Sequence, residues 1–426
     1  MEMPVESNLR TARFDAQPAS EFAPATQSEL TRFVAENAVG ERKTLCPVGG
    51  RTALHYGFSA AEPGSHVALT QLNRLVDYPA RDMTITVEAG MRIDVLQQTL
   101  AGERQRLPID IAQAERATLG GALATNTSGP RRFGHGTFRD YVIGISAVDA
   151  DGRLFKAGGR VVKNVAGYDI CKLLVGSRGT LAIVTQVTLK LRPLPETSAQ
   201  LWMTIDSFDE IESRLQHLLT SQARPVAIEV LNPAAAALIV ASARSELPAN
   251  APVLCVGVEG SRREVEWQLE TLSQELTFPG VQEYRQVRDH DADRIWQALT
   301  EFQTCADDPL TFEANLRPSQ CMAFASRATQ LGVAVQVHAG NGLVIGQLLE
   351  EAATIDQTTS ILNELRGLAR SQGGNLLVLH CDAAWKARLP MCGDPESAWP
   401  LMNQLKRKLD PHSLLNPGRF VDGAAM

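Results

Sequence analysis

An α+β fold in two domains, closed by a short C-terminal piece, is what the sequence predicts, and three observations predict it. Short β-branched runs alternate with glycine-rich turns up to residue 195, a strand–helix–strand rhythm fills 196–385, and a separate segment, 386–426, ends in LNPGRF and six further residues. At 426 residues with 44% hydrophobic content, the chain has material for more than one core.

In the first region VALTQL, TITVEAG, YVIGISAVDADG and LAIVTQVTLKLRPLP carry the alternation expected of strands. Arg192-Pro193-Leu194-Pro195 ends the last of these and marks the domain boundary. Beyond it comes LWMTI, and then Ser207 and Glu210 have capping-box spacing ahead of a helix with Ile211, Leu215, Leu218 and Leu219 on one face. The strand VAIEVL follows. Ser261 and Glu264 repeat the device after VLCVGVEG, with Val265, Leu269, Leu272 and Leu276 aligned. Further on, LTFEANL, VAVQVH, LVIGQLLE and NLLVLH read as strands, with helices near 318–330 and 354–370. The expectation is an antiparallel sheet with helices on one side.

Chemistry concentrates in two glycine turns. Cys46 to Gly57 reads CPVGGRTALHYG, and Ala117 to Gly129 reads ATLGGALATNTSG. A dinucleotide pyrophosphate needs several convergent donors and close backbone approach, which glycine permits. Gly49, Gly50, Gly120 and Gly121 supply the approach; Thr118, Thr125, Asn126, Thr127 and Ser128 supply hydroxyl and amide groups. No GxGxxG follows a strand and no GxxxxGK[ST] occurs, so the Rossmann and Walker solutions are unavailable.

These turns, with KNVAGYDICKLLVGSRGTLAIVT (Lys163 to Thr185), resemble the FAD-binding domain of the vanillyl-alcohol oxidase or PCMH type. The resemblance implies a two-subdomain FAD domain over 1–195, an α+β cap domain over 196–385, and a C-terminal helix and tail, 386–426, that returns to the FAD domain. It implies FAD contacts at Pro47, Val48, Gly49, Gly50, Arg51 and Thr52, and at Pro108. It further implies contacts at Thr118, Leu119, Gly120, Gly121, Thr125, Asn126, Ser128 and Gly129, then Gly179 and Ile183. Covalent members often carry a histidine directly after the first glycines; here Arg51-Thr52 stands there and His55 lies further on. Non-covalent FAD is therefore expected, with His55 as the other possible anchor.

The metal-assisted branch of this family carries HxGDGNxH and GEHG in its cap. Here the first place reads His338-Ala339-Gly340-Asn341-Gly342-Leu343-Val344-Ile345, and in the second His380 follows Leu379 instead of glutamate. Two separated histidines do not make a divalent ligand set, so no metal is expected. His338 reads either as a hairpin residue beside AGNG or as a catalytic group, and His380 either as a strand residue or as the base. Arg327 and Arg419 are candidates to grip a carboxylate.

An intact cradle with an eroded cap resembles the flavoprotein subunits of bacterial glycolate-oxidising complexes. That implies oxidation of a small 2-hydroxy acid, a larger related flavoprotein subunit and an iron–sulfur subunit as partners. The same features leave open a stand-alone dehydrogenase and an assembly subunit with a structural flavin. Seven cysteines without a CxxC pair suit buried thiols in a reducing compartment and place any iron–sulfur cluster outside this chain. A net charge of −7 without a basic block gives no footprint for nucleic acid. The first residues lack a signal-peptide layout, and no apolar run reaches the roughly 20 residues of a spanning helix. The expected location is the cytoplasm, with membrane contact only through partners.

Overall fold

The computed structural model describes residues 18–58, 64–159, 168–304, 309–349 and 354–421. The start of the third motif (Lys163 to Gly167) and Cys305 lie outside the described residues.

The first region builds two small sheets and a two-stranded ladder, Gln105–Arg106 with Arg192–Pro193. Ser20–Phe22, Ser65–Ala68 and Leu45–Val48 pair in parallel. A second, antiparallel sheet of five strands has Ile183–Lys190 at its centre, between Thr84–Glu88 and Val142–Val148. Its apolar alternation packs Ile85, Val87, Val187 and Leu189 into a core closed by Leu96, Leu119 and Leu123 from two helices. This pair of subdomains is the arrangement expected of the FAD domain.

From Thr197 to Cys381 runs one antiparallel sheet of eight strands. The period of two sorts its side chains. Leu201, Val230, Val256, Phe312, Val335 and Val344 face one way, under helices Phe208–Leu218, Arg262–Leu276, Cys321–Gln330 and Ile355–Ser371. Glu259, Glu229, His338, Glu313, Thr311 and His380 belong to the opposite face. Helices cover part of that face as well, which differs from the one-sided expectation. Pro233–Ser242 and Asp289–Glu301 pack there through Ala235, Ala236, Ile239, Ile295, Trp296 and Leu299. The first of these is apolar all round, so its sequence carries no one-sided stripe to reveal a docking face.

Charged residues join the sheet to the FAD domain. Glu259 of strand Val253–Gly260 is bound by Arg106, by Arg131 at 2.9 Å and by His135 at 3.0 Å, and Arg131 also holds Asp110. Burial opposes ionisation of Glu259, but His135, Arg106 and Arg131 outweigh it and hold the carboxyl well below its usual value of 4.5. A depressed folded-state pKa contributes stability that is complete above the unfolded value and drains as pH falls below it. Glu259→Gln should therefore lower the melting temperature near pH 7 and flatten the decline below about pH 4.5, measured by thermal scans across pH.

The C-terminal piece returns to the first domain. Helix Trp399–Leu409 carries Lys406, whose ammonium is buried and donates to the Thr180 and Leu415 carbonyls at 2.7 and 3.0 Å and to Asp410 at 2.5 Å. Asp410 in turn accepts from the Leu414 and Leu415 amides. Leu415 then forms a parallel bridge with Leu45, placing the tail beside the first glycine turn. Among the described residues no helix is long and apolar enough to cross a membrane.

Candidate active site

The cleft between the two small sheets has a volume of about 920 Å³, its open mouth included. Strand Leu45–Val48 ends at its rim, so the following turn, Gly49 to Thr52, runs along one wall. Opposite stands helix Leu119–Thr125, whose N-cap Thr118 accepts from the Gly121 amide. The third wall is the turn at Ser177 to Gly179, bonded to the helix by the Arg178 amide and the Ala124 carbonyl at 2.7 Å.

The structure brings Pro47, Val48, Gly49, Gly50, Arg51 and Thr52 together along this cleft. With them are Thr118, Gly120, Gly121, Thr125, Gly179 and Ile183. Five other candidates lie off the lining. Leu119 is fully buried in the domain core, and Pro108 and Gly129 are buried too. The Ser128 hydroxyl accepts from Arg132, and Asn126 sits in a left-handed conformation at the helix C-cap, with φ of 54°.

Gly50 owes its identity to the protein itself. A Cβ there would lie 1.8 Å from the Arg116 carbonyl oxygen, on the segment leading into the second turn. Glycine thus lets the two turns touch, a tertiary reason that adds to ligand approach. Arg51 has φ of 58° and directs its guanidinium to Glu21 at 2.6 Å and to His66 at 3.2 Å. Because that cation is already paired, Arg51→Ala should change FAD affinity less than about threefold, the scale of a half-exposed ion pair, in a fluorescence titration.

Among the cleft residues that the sequence did not assign to the cofactor are two from the far end of the chain. Asn416 and Arg419 come from the tail. Asn416 donates to the Arg178 carbonyl at 2.7 Å, and Arg419 donates to the Tyr56 carbonyl. LNPGRF carried that signal only as a likeness, since the two contacts span 238 and 363 residues. Arg327 lies elsewhere, on the helix-covered side of the large sheet, exposed and paired with Glu364 at 2.5 Å.

At the cap end of the cleft, Tyr56 reaches the sheet. The His55 ring meets the His380 ring edge-on at 4.9 Å. Burial, with His380, Lys386 and Arg419 around it, pushes the His55 imidazole down to about 3, so it is neutral. Burial and Glu313 push the Tyr56 phenol up to about 12.

His338 has a different setting. It is 4% exposed, its Nδ1 lies 2.8 Å from both oxygens of the buried Glu229, and Gln336 bonds the same carboxylate at 2.7 Å. Gly340, two residues on, receives the Phe133 ring where a Cβ would stand 2.2 Å away. That turn is a joint between domains. Leu343, Ile345 and Leu379 occupy the other positions of the ligand pattern and pack in one apolar cluster with Tyr56 at its margin. Among the described residues no three His, Cys, Asp or Glu side chains gather as a metal set.

The fold and cleft define a protein that holds an extended dinucleotide between two subdomains. A model of the FAD binding domain matches residues 18–158, and a model of the C-terminal domain of FAD linked oxidases matches residues 194–420. The chain belongs to the FAD-linked oxidase family. It is 26% identical over 433 residues to glycolate oxidase subunit GlcD of Bacillus subtilis (strain 168), covering 96% of this chain and 90% of that one. It is 33% identical over 158 residues to glycolate oxidase subunit GlcE of Escherichia coli (strain K12), covering 37% and 44%. The solved structure of p-cresol methylhydroxylase with substrate bound superposes with a TM-score of 0.72 at 15% identity, over 96% of this chain and 91% of that one, a likeness of fold.

The cleft residues fit FAD. Glycine-turn backbone, the Thr52 hydroxyl and Arg178 line the cleft together with Val48, Leu54, Ile183 and Val184, giving donors for a pyrophosphate beside an apolar wall for a flavin ring. Beside it the Asn126 Oδ1 is buried with no hydrogen-bond partner, the mark of an acceptor awaiting a donor.

Proposed function

We propose that this chain is the FAD-holding E-type subunit of a glycolate-oxidising complex, acting on a small 2-hydroxy acid and delivering electrons to partner subunits. The observation that carries the reading is the pairing of a full FAD cleft with a cap whose remaining ligand-pattern positions are Leu343, Ile345 and Leu379. The partners are a larger related flavoprotein and an iron–sulfur subunit; likeness to both GlcD and GlcE supports such an assembly. The complex works in the cytoplasm and meets a membrane only through its partners.

Bound FAD supplies the acceptor for the two electrons that leave the hydroxyl-bearing carbon. The chain's own residues do the rest. Gly49 to Thr52, Gly120, Gly121 and Gly179 hold the cofactor, and the tail closes over it. His380, whose ring abuts the neutral His55, takes the hydroxyl proton in this reading. FAD is held non-covalently: Leu54 and Tyr56 line the cleft while His55 turns its ring to His380. Acid precipitation should therefore leave the flavin in the supernatant.

The cluster of His55, His380 and Tyr56 favours a second reading, a stand-alone 2-hydroxyacid dehydrogenase. A visible spectrum of the purified chain, recorded without oxygen before and after glycolate, separates the two. The subunit reading expects an oxidised flavin that bleaches only when the sister subunit is present. Bleaching of the isolated chain would transfer the assignment to the second reading, and a chain unable to take up flavin would remove both.

A further inference from the structure

The cap end of the cleft holds fixed positive charge that the FAD turns leave unassigned. Lys386 is 4% exposed, and its ammonium donates to the His55 carbonyl at 2.9 Å. Arg419 reaches the same short segment through the Tyr56 carbonyl and also lines the cleft. Both cations act on the His55 ring, which abuts His380. Across from His380, on the neighbouring strand, stands Thr311. It is 1% exposed and its hydroxyl has no hydrogen-bond partner, an unfavourable state that a ligand or water relieves. The same sheet face carries Leu343, Ile345 and Leu379 as an apolar margin, so charge for an anion has to come from side chains.

We propose that Lys386 and Arg419, with the Thr311 hydroxyl, receive the carboxylate of a small acid beside His380 at this end of the cleft. The proposal rests on the reading that FAD occupies the cleft and a small 2-hydroxy acid meets it there. One ammonium, one guanidinium and a hydroxyl match the lone pairs of a single carboxylate. The apolar margin beside Tyr56 favours a short acid over one carrying a second distant charge. The cations fix the acid's orientation and turn its hydroxyl toward His380. Lys386 thereby becomes a binding residue that requires no metal ion.

Oxalate, an unreactive small acid, is the probe, titrated into the FAD-loaded full chain in chelator-containing buffer and followed through the visible flavin bands. The expected result is a saturable perturbation that weakens at least about tenfold in Lys386→Met, with flavin content unchanged. Lys386→Arg should retain most of it, and Arg327→Met, on the other side of the sheet, should match the parent. Thr311→Val supplies a variant independent of the buried lysine, and should weaken oxalate severalfold although it removes an unpaired hydroxyl. Undiminished oxalate binding in both Lys386→Met and Thr311→Val overturns the proposal. So does a fully flavinylated parent chain that shows no perturbation, and that outcome leaves the FAD reading standing. A chain that cannot be loaded with FAD removes the reading underneath.

Discussion

Replacing Lys406 by methionine is expected to destabilise the protein by about 3–5 kcal/mol, the usual cost of stranding one member of a buried ion pair, and to release most of its FAD. The loss reaches beyond one contact. Lys406 ties Asp410, the Thr180 carbonyl and the Leu415 carbonyl at a single buried point. With the ammonium gone, Asp410 loses its ion-pair partner at 1% exposure. Its two amide donors, Leu414 and Leu415, remain, but two carbonyls lose their donor. Leu415 is also the residue that bridges to Leu45, so the slackened tail withdraws Asn416 and Arg419 from the cleft. Thermal melting and the ratio of flavin to protein absorbance check the two halves separately. The double variant Lys406→Met with Asp410→Leu should recover part of the stability, because an apolar pair of similar volume can replace a buried ion pair.

Gly50→Ala is expected to weaken FAD binding by about tenfold to a hundredfold, the equivalent of an overpacking cost of about 1–3 kcal/mol. The new Cβ would collide with backbone, the Arg116 carbonyl at 1.8 Å, with the Arg116 carbon and Ala117 Cα close behind. No rotamer can relieve a backbone clash, so the first turn must move away from the second. Global stability should fall less than cofactor affinity, since the collision lies at the cleft and outside the hydrophobic cores. Retention of parental FAD affinity in a fluorescence titration would show that the turns can separate without loss to the cradle.

Much of the fold was legible because its signals are local. Alternation in TITVEAG or VAVQVH needs only a few residues, and each became a strand. Ser261 and Glu264 also form a reciprocal capping box. Ser207 caps its helix, yet Glu210 turns to Arg214 instead of completing the box. Strand Val281–Arg288 and helix Asp289–Glu301 were not foreseen; the strand lies at the sheet's edge and is largely exposed, so it lacks the apolar alternation that marks buried strands.

At the cleft, the two glycine turns could be read because contiguous residues build each wall. The remaining features depend on distant partners. His55 meets His380 across 325 residues, and Arg51 finds Glu21 and His66 from other strands. Leu119 belongs to the same contiguous stretch as the second turn, yet the helix directs it to the core. Composition contains no term for any of these contacts.

The bridge between Leu45 and Leu415 has a consequence in time. It pairs a residue that leaves the ribosome early with one made 370 positions later. At about 5–20 residues per second, the first domain waits roughly 10–45 s before Asn416 and Arg419 exist. Cofactor capture is accordingly a late event of biosynthesis, and the half-built chain emerges as an apoprotein whose nucleotide seat has no lid.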